Sequence, residues 1–157
     1  MSETALVRPR RSYMTKSAGS VPKPTSAIVS RQMRSNKRSG TQPELVMARV
    51  LRRKLIRSSL PGSPDFVYPR AKLAVFLHGD FWHLCPLCKI SMPKTHASYW
   101  KKKLERNVER DRLNKEELES MGWNVLEVWE HEVKADPKAV ATRIRELSAR
   151  SNCAVSS

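Results

Sequence analysis

Between Pro61 and Cys88 the chain reads PGSPDFVYPRAKLAVFLHGDFWHLCPLC, which gathers two carboxylates, two imidazoles, two thiols and an adjacent Phe-Trp. Pro64-Asp65 sets an acid at the start of a strand. That placement suits Mg²⁺, which takes one or two carboxylates plus phosphate oxygens and water; a plain turn accounts for the pair equally well. Many nucleases add a Glu-x-Lys on the following strand, but Leu77 and Gly79 occupy those slots here. His78 and His83 flank Gly79-Asp80-Phe81-Trp82. An imidazole beside a phosphate can take a proton from an attacking water at neutral pH. Phe81-Trp82 reads either as a plug beneath its loop or as a wedge that unstacks a base step. Cys85-x-x-Cys88 has metal-knuckle spacing. Two further zinc ligands would come from among His131, Asp80, His96, His83 and Cys153.

These groups need elements to position them. Thr41-Gln42-Pro43-Glu44 has the form of a helix start, with Thr41 as cap and Glu44 completing a capping box. Apolar residues at Leu45, Val46, Val50, Leu51 and Leu55 extend a helical face to about Arg57. Phe66–Tyr68 and Lys72–His78 read as two strands, the second apolar enough to be central, with a short hairpin link at Pro69-Arg70-Ala71. A loop runs from Gly79 to His96, and a long helix from about Ala97 to Met121, closed by Gly122. On that helix Trp100, Asn107 and Asp111 fall within about 40° of one another. An aromatic, an amide and a carboxylate thus share a stripe, with Leu104 and Val108 next to it and packing inward. Lys101, Lys102, Lys103, Arg106, Arg110 and Arg112 are available to phosphates, and an ion pair for Asp111 is the alternative to a site role. Trp123–Trp129 reads as a third strand, and Asp136-Pro137 opens a last helix to about Ala149. The expected fold is an α/β sandwich, a mixed central sheet flanked by helices, without internal repeats.

A net charge of +15 over 157 residues, with mean hydropathy −0.55, calls for a polyanionic partner. No run approaches the roughly 20 apolar residues of a membrane span, and no signal-peptide core is evident, so a reducing, cytoplasmic setting is expected. Residues 1–29 read as a flexible basic tail, disordered in the free protein, and 150–157 as a frayed end around a single domain over 30–149. Arg34, within SRQMRSNKR, belongs to the part of that arm that would lie along DNA.

LPGSPDFV, AVFLHGDFWH, YWKKKLERNVERDR and GWNVLEVWEHE, in this order, resemble the very short patch repair (Vsr) DNA mismatch endonucleases, and SRQMRSNKRSGTQPE resembles their N-terminal region. The resemblance spans about Ser30 to Val133. It implies a restriction-endonuclease-like fold and a nick in duplex DNA 5′ to the thymine of a T:G mismatch left by deamination of 5-methylcytosine. It also implies Asp65 and the Leu77 backbone carbonyl as Mg²⁺ ligands, His83 as general base oriented by Asp111, and His78 and Glu44 as assisting groups. Phe81, Trp82 and Trp100 would intercalate, with Lys103, Asn107 and Arg34 as further DNA contacts. Asp80 stands where the family usually has a Cys ligand, so structural Zn²⁺ would be held by Asp80, Cys85, Cys88 and His131. The segment before Pro61 is shorter than usual, which implies a missing or shortened strand. A monomer in the bacterial, nucleoid-associated cytoplasm is expected, with mismatch-repair proteins as further partners. A different mismatch or modified base as target, or a non-catalytic zinc-stabilised DNA-binding module, are the alternatives.

Overall fold

The computed structural model describes residues 40–55 and 58–153, the side chains of 151–153 excepted. The basic arm, with Arg34, lies outside the described residues. The order is helix α1 (Gln42–Leu51), strand β1 (Phe66–Tyr68), a 3₁₀ turn at Pro69–Ala71, strand β2 (Leu73–His78), helix α2 (Ala97–Ser120), strand β3 (Asn124–Trp129), helix α3 (Glu130–Ala135) and helix α4 (Pro137–Cys153).

Strand β2 is central. It pairs antiparallel with β1 (Phe66 opposite Val75) and parallel with β3 (Leu73 opposite Asn124, His78 opposite Trp129), giving the order β1-β2-β3. A parallel pair needs a long crossover, and the 24-residue α2 supplies it. Alternation then divides the sheet into two faces. Leu73 and Val75 of β2, with Phe66 and Val128, bury against Met47 and Leu51 of α1, Val133 of α3, and Val140, Ala141 and Ile144 of α4. The opposite face, with Phe76, His78, Val125 and Glu127, looks towards Asp111, Asn114 and Lys115 of α2. The site therefore lies on the second face, while the apolar core that holds the fold together is on the first.

Helix ends follow local chemistry. Helix α1 stops at Leu51 rather than near Arg57, because Arg52 adopts a left-handed conformation (φ 53°) and its N–H returns to Ala48 and Arg49 carbonyls. Thr41 does not accept a helix N–H; its hydroxyl donates to Glu44 Oε1 at 2.7 Å, and Gly40 N donates to Glu44 Oε2 at 2.7 Å. Gly122 (φ 78°) closes α2, with Trp123 N donating to Leu118 O at 3.0 Å, a Schellman-type ending. Asp136 Oδ1 caps α4 by accepting from Lys138 N and Ala139 N at 2.9 and 3.0 Å. Helix α3 had no sequence signal of its own; Glu132 Oε2 accepts from Trp129 N at 2.8 Å and turns the chain directly out of β3. Within α2, Leu104 is fully buried, but Val108 is 41% exposed and does not pack inward.

Candidate active site and metal centre

Asp65 is carried into place by a tight turn. Ser63 N donates to Leu60 O at 3.0 Å, and Asp65 N donates to Val75 O at 2.9 Å. Gly62 (φ 73°) presses this turn onto α2: a Cβ there would meet Asn114 Nδ2 at 2.9 Å and Phe76 Cε1 at 3.0 Å. The Asp65 carboxylate accepts from Leu77 N at 2.7 Å. Burial pushes its pKa up to about 6 against the lowering effect of that hydrogen bond, and the nearby Glu44 carboxylate adds to the rise. Asp65 is thus a desolvated acid beside a second acid, an arrangement that a cation would relieve.

The loop after β2 meets the stripe of α2 residue by residue. Phe81, Trp82 and Trp100 form a ring cluster with centroids 5.1 to 6.0 Å apart. Lys103 Nζ lies 5.3 Å from the Trp82 ring and 5.1 Å from the Trp100 ring. Asn107 Nδ2 donates to Trp82 O at 3.1 Å, so this amide holds the loop against the helix. One turn further on, Asp111 Oδ2 meets His83 Nδ1 at 2.5 Å. Burial would raise the Asp111 carboxyl, but the His83 hydrogen bond and the charges of His83, Arg110 and His78 together hold it below its ordinary value. With Nδ1 committed to an ionised carboxylate, the lone pair of neutral His83 is left on Nε2. The side chain is 21% exposed, so water can reach it.

His78 is buried under this pair, its ring 4.2 Å from that of His83 and 5.4 Å from that of Trp129. Its Nε2 lies 3.5 Å from Glu127 Oε1, and Lys115 Nζ donates to Glu127 Oε2 at 3.0 Å. The His78 contact, with Lys115, lowers the Glu127 pKa to about 2 despite burial. Sequence reasoning missed Glu127 and Lys115. The available signals were a lone acid inside the apolar strand WNVLEVW and a lysine one turn beyond Asp111 on the α2 stripe.

A second centre lies at the other end of the loop. Asp80, Cys85, Cys88 and His131 bring one ligand atom each within 4.8 Å of one another. His131 Nδ1 is 2.8 Å from Asp80 Oδ1, 3.4 Å from Cys88 Sγ and 3.8 Å from Cys85 Sγ. Cys85 N donates to Asp80 O and Cys88 N to Cys85 O, closing the knuckle. The two sulfur–nitrogen separations are of the size that ligand bonds of about 2.0–2.3 Å to a tetrahedral zinc would give, while the His131–Asp80 contact at 2.8 Å is a hydrogen bond that an ion would open. Helix α3 delivers His131, whereas His96 stands exposed at the start of α2 and His83 is engaged by Asp111. The side chain of Cys153 lies outside the described residues.

Not every basic residue on α2 faces outward unengaged. Arg112 pairs with Glu109 at 2.8 Å and with Glu116, Lys101 stands 4.0 Å from Glu105, and Arg110 is 3.3 Å from Asp111. Arg112 in particular is committed along its own helix, which leaves it poorly placed for phosphate contact.

Residues 23–87 match the family model of the DNA mismatch endonuclease Vsr. The chain is 43% identical to the type II nicking enzyme V.NaeI of Lentzea aerocolonigenes over 78% of its own length and 79% of the relative's. It is 36% identical to the type II nicking enzyme V.XorIIP of Xanthomonas oryzae, over 73% and 88%. It is also 38% identical to the DNA mismatch endonuclease Vsr of Escherichia coli, over 57% of each chain. A mixed three-stranded sheet with helices on both faces agrees with the restriction-endonuclease-like fold of these enzymes. The chain belongs to the Vsr family of DNA endonucleases.

Proposed function

We propose that this endonuclease nicks duplex DNA on the 5′ side of the thymine in a T:G mismatch, by Mg²⁺-dependent hydrolysis of one phosphodiester. The observation that carries this reading is the His83–Asp111 pair at 2.5 Å, set beside the Phe81-Trp82-Trp100 cluster. Asp111 holds the His83 ring and its Nδ1 proton, and His83 Nε2 takes the proton of the attacking water. The Asp111 carboxylate then stabilises the imidazolium that results. The aromatic rings are already assembled on α2, and Asn107 anchors the Trp82 carbonyl, so the wedge enters a base step without first being ordered. A mismatched step costs least to open. The basic surface contributes affinity that falls with salt.

Asp65 suits a hard cation, being a buried acid with a raised pKa, and the Leu77 carbonyl is the second proposed ligand. A Mg²⁺ ion held there supplies positive charge that polarises the phosphate and offsets charge developing on its oxygens. Glu44 stands close enough to raise Asp65, although both its oxygens are already engaged at the start of α1. Asp80, Cys85, Cys88 and His131 suit structural zinc, which would staple the loop to α3. The second reading, a nicking enzyme with another target base, is favoured by relatives named type II nicking enzymes. The catalytic assignment is tested by comparing Mg²⁺-dependent nicking by the parent and by His83→Ala: loss of at least 100-fold is expected on the scale of general base catalysis, about 10²–10⁴. Equal rates would remove His83 from the chemistry.

A further inference from the structure

Glu127 is out of character for its place. It lies in the middle of β3, in register with Phe76, flanked by Leu126 and Val128, on the sheet face that α2 covers. Half-burying a carboxylate there carries a desolvation cost that a valine would not. The structure gives it two partners, one on each side: Lys115 Nζ at 3.0 Å and His78 Nε2 at 3.5 Å.

The surroundings of His78 explain what this acid can do. The imidazole is 6% exposed. Its ring is confined by Phe76 (centroid 6.0 Å, interplanar angle 11°), Trp129 (5.4 Å) and His83 (4.2 Å). Packing of this kind limits where the ring can sit, but it does not choose which nitrogen carries the proton. An acceptor does. Glu127 is ionised and faces Nε2, so the neutral ring keeps its proton there and the lone pair on Nδ1. A small cavity lined in part by His78, Asp111, Lys115 and Glu127 has room for about one water. His83 thus has Asp111 behind it, and His78, against which it packs, has Glu127.

We propose that Glu127, anchored by Lys115, is a positioning residue that fixes His78 as the Nε2–H tautomer and holds its ring against His83. This rests on the reading of His83 as general base. The effect on nicking is indirect: Glu127 contacts Lys115 and His78, and its influence passes through His78.

The test uses the full-length protein as purified, with two independent readouts. Ring-nitrogen NMR of ¹⁵N-histidine-labelled protein reports the His78 tautomer without DNA. Nicking of a T:G duplex under Mg²⁺ reports kcat and KM. In the parent, His78 gives the Nε2–H pattern. Glu127→Gln keeps the shape, but its one amide oxygen faces Lys115 and its NH2 faces Nε2, so the ring turns to the Nδ1–H pattern. Glu127→Val, suited to a strand, gives a mixture of tautomers, and kcat falls about 10-fold with KM within twofold, the low end for losing a carboxylate that orients an imidazole. Lys115→Met removes the anchor but not the acceptor, so the tautomer persists. An unchanged tautomer in Glu127→Val overturns the proposal, as does a Glu127→Gln variant that keeps the Nε2–H pattern. A parent that does not nick, with the tautomer still responding to Glu127→Val, instead removes the catalytic reading and leaves the positioning of His78 in place.

Discussion

Replacing Asp65 with Asn should make the metal-free protein more stable while abolishing nicking. Burial raises the Asp65 pKa from 3.8 to about 6. A difference of roughly two units at about 1.4 kcal/mol each makes the ionised acid cost about 3 kcal/mol in the folded state at pH 8. Asn keeps an oxygen to accept from Leu77 N, but its buried amide costs about 1 kcal/mol, leaving a net gain of about 2 kcal/mol. For a domain of this size that is a rise of roughly 6–10 °C in Tm. The sign follows from proton binding. The folded-state pKa lies above the unfolded value, so the folded protein binds the extra proton. The parent's relative stability is therefore greatest below about pH 3.8 and is lost as pH rises through about 6. Urea unfolding of parent and Asp65→Asn at pH 8 and pH 4, without divalent cations, is the assay. The gain should be present at pH 8 and gone at pH 4. Millimolar Mg²⁺ at pH 8 should stabilise the parent and not the variant, because binding to the folded state alone raises stability. Equal stability at pH 8, or a gain that persists at pH 4, would refute the picture of Asp65 as a desolvated acid.

Asp111→Asn leaves His83 without a fixed tautomer and should lower kcat about 100-fold or more in single-turnover nicking, with duplex binding unchanged. Trp82→Ala should weaken binding to a T:G duplex by about 1–3 kcal/mol, the value of one base–aromatic stack, and weaken binding to matched duplex far less. Fluorescence anisotropy on both duplexes reads the difference. Cys85→Ser should lower the zinc content found by metal analysis and lower Tm. Asp80→Cys should raise resistance to a chelator, because a thiolate is the softer ligand for zinc.

Much of this was legible in the sequence where local rules decide. The strand LAVFLH is apolar on both sides and is the central strand; Gly122 and Asp136 end and start helices by chemistry that acts within a few residues. The α2 stripe Trp100, Asn107, Asp111 follows from helical periodicity, and its partners Trp82 and His83 are the neighbouring residues of one loop. What was not legible depends on tertiary contacts. Helix α1 stops early at a left-handed Arg52, a conformation that no Gly or Asn announced. Helix α3 begins without a Pro, Gly or Ser/Thr/Asp/Asn cap, yet it delivers His131 to the cysteines. Val108 has the helical spacing of a residue next to the stripe but is 41% exposed, because α2 buries only Leu104 and Leu118 fully. Glu127 reads as a solvent-facing acid in an alternating strand until Lys115 and His78 are seen on either side of it.

The central claim is mismatch-directed hydrolysis at one strand. The direct measurement is to map the cut made in an end-labelled duplex with a single T:G pair, and in its T:A counterpart, with Mg²⁺ or with EDTA. The account predicts a single Mg²⁺-dependent nick 5′ of the mismatched thymine, little or no cutting of the T:A duplex, and no cutting by His83→Ala. Equal cutting of both duplexes, or a nick by the parent that persists in EDTA, would contradict it.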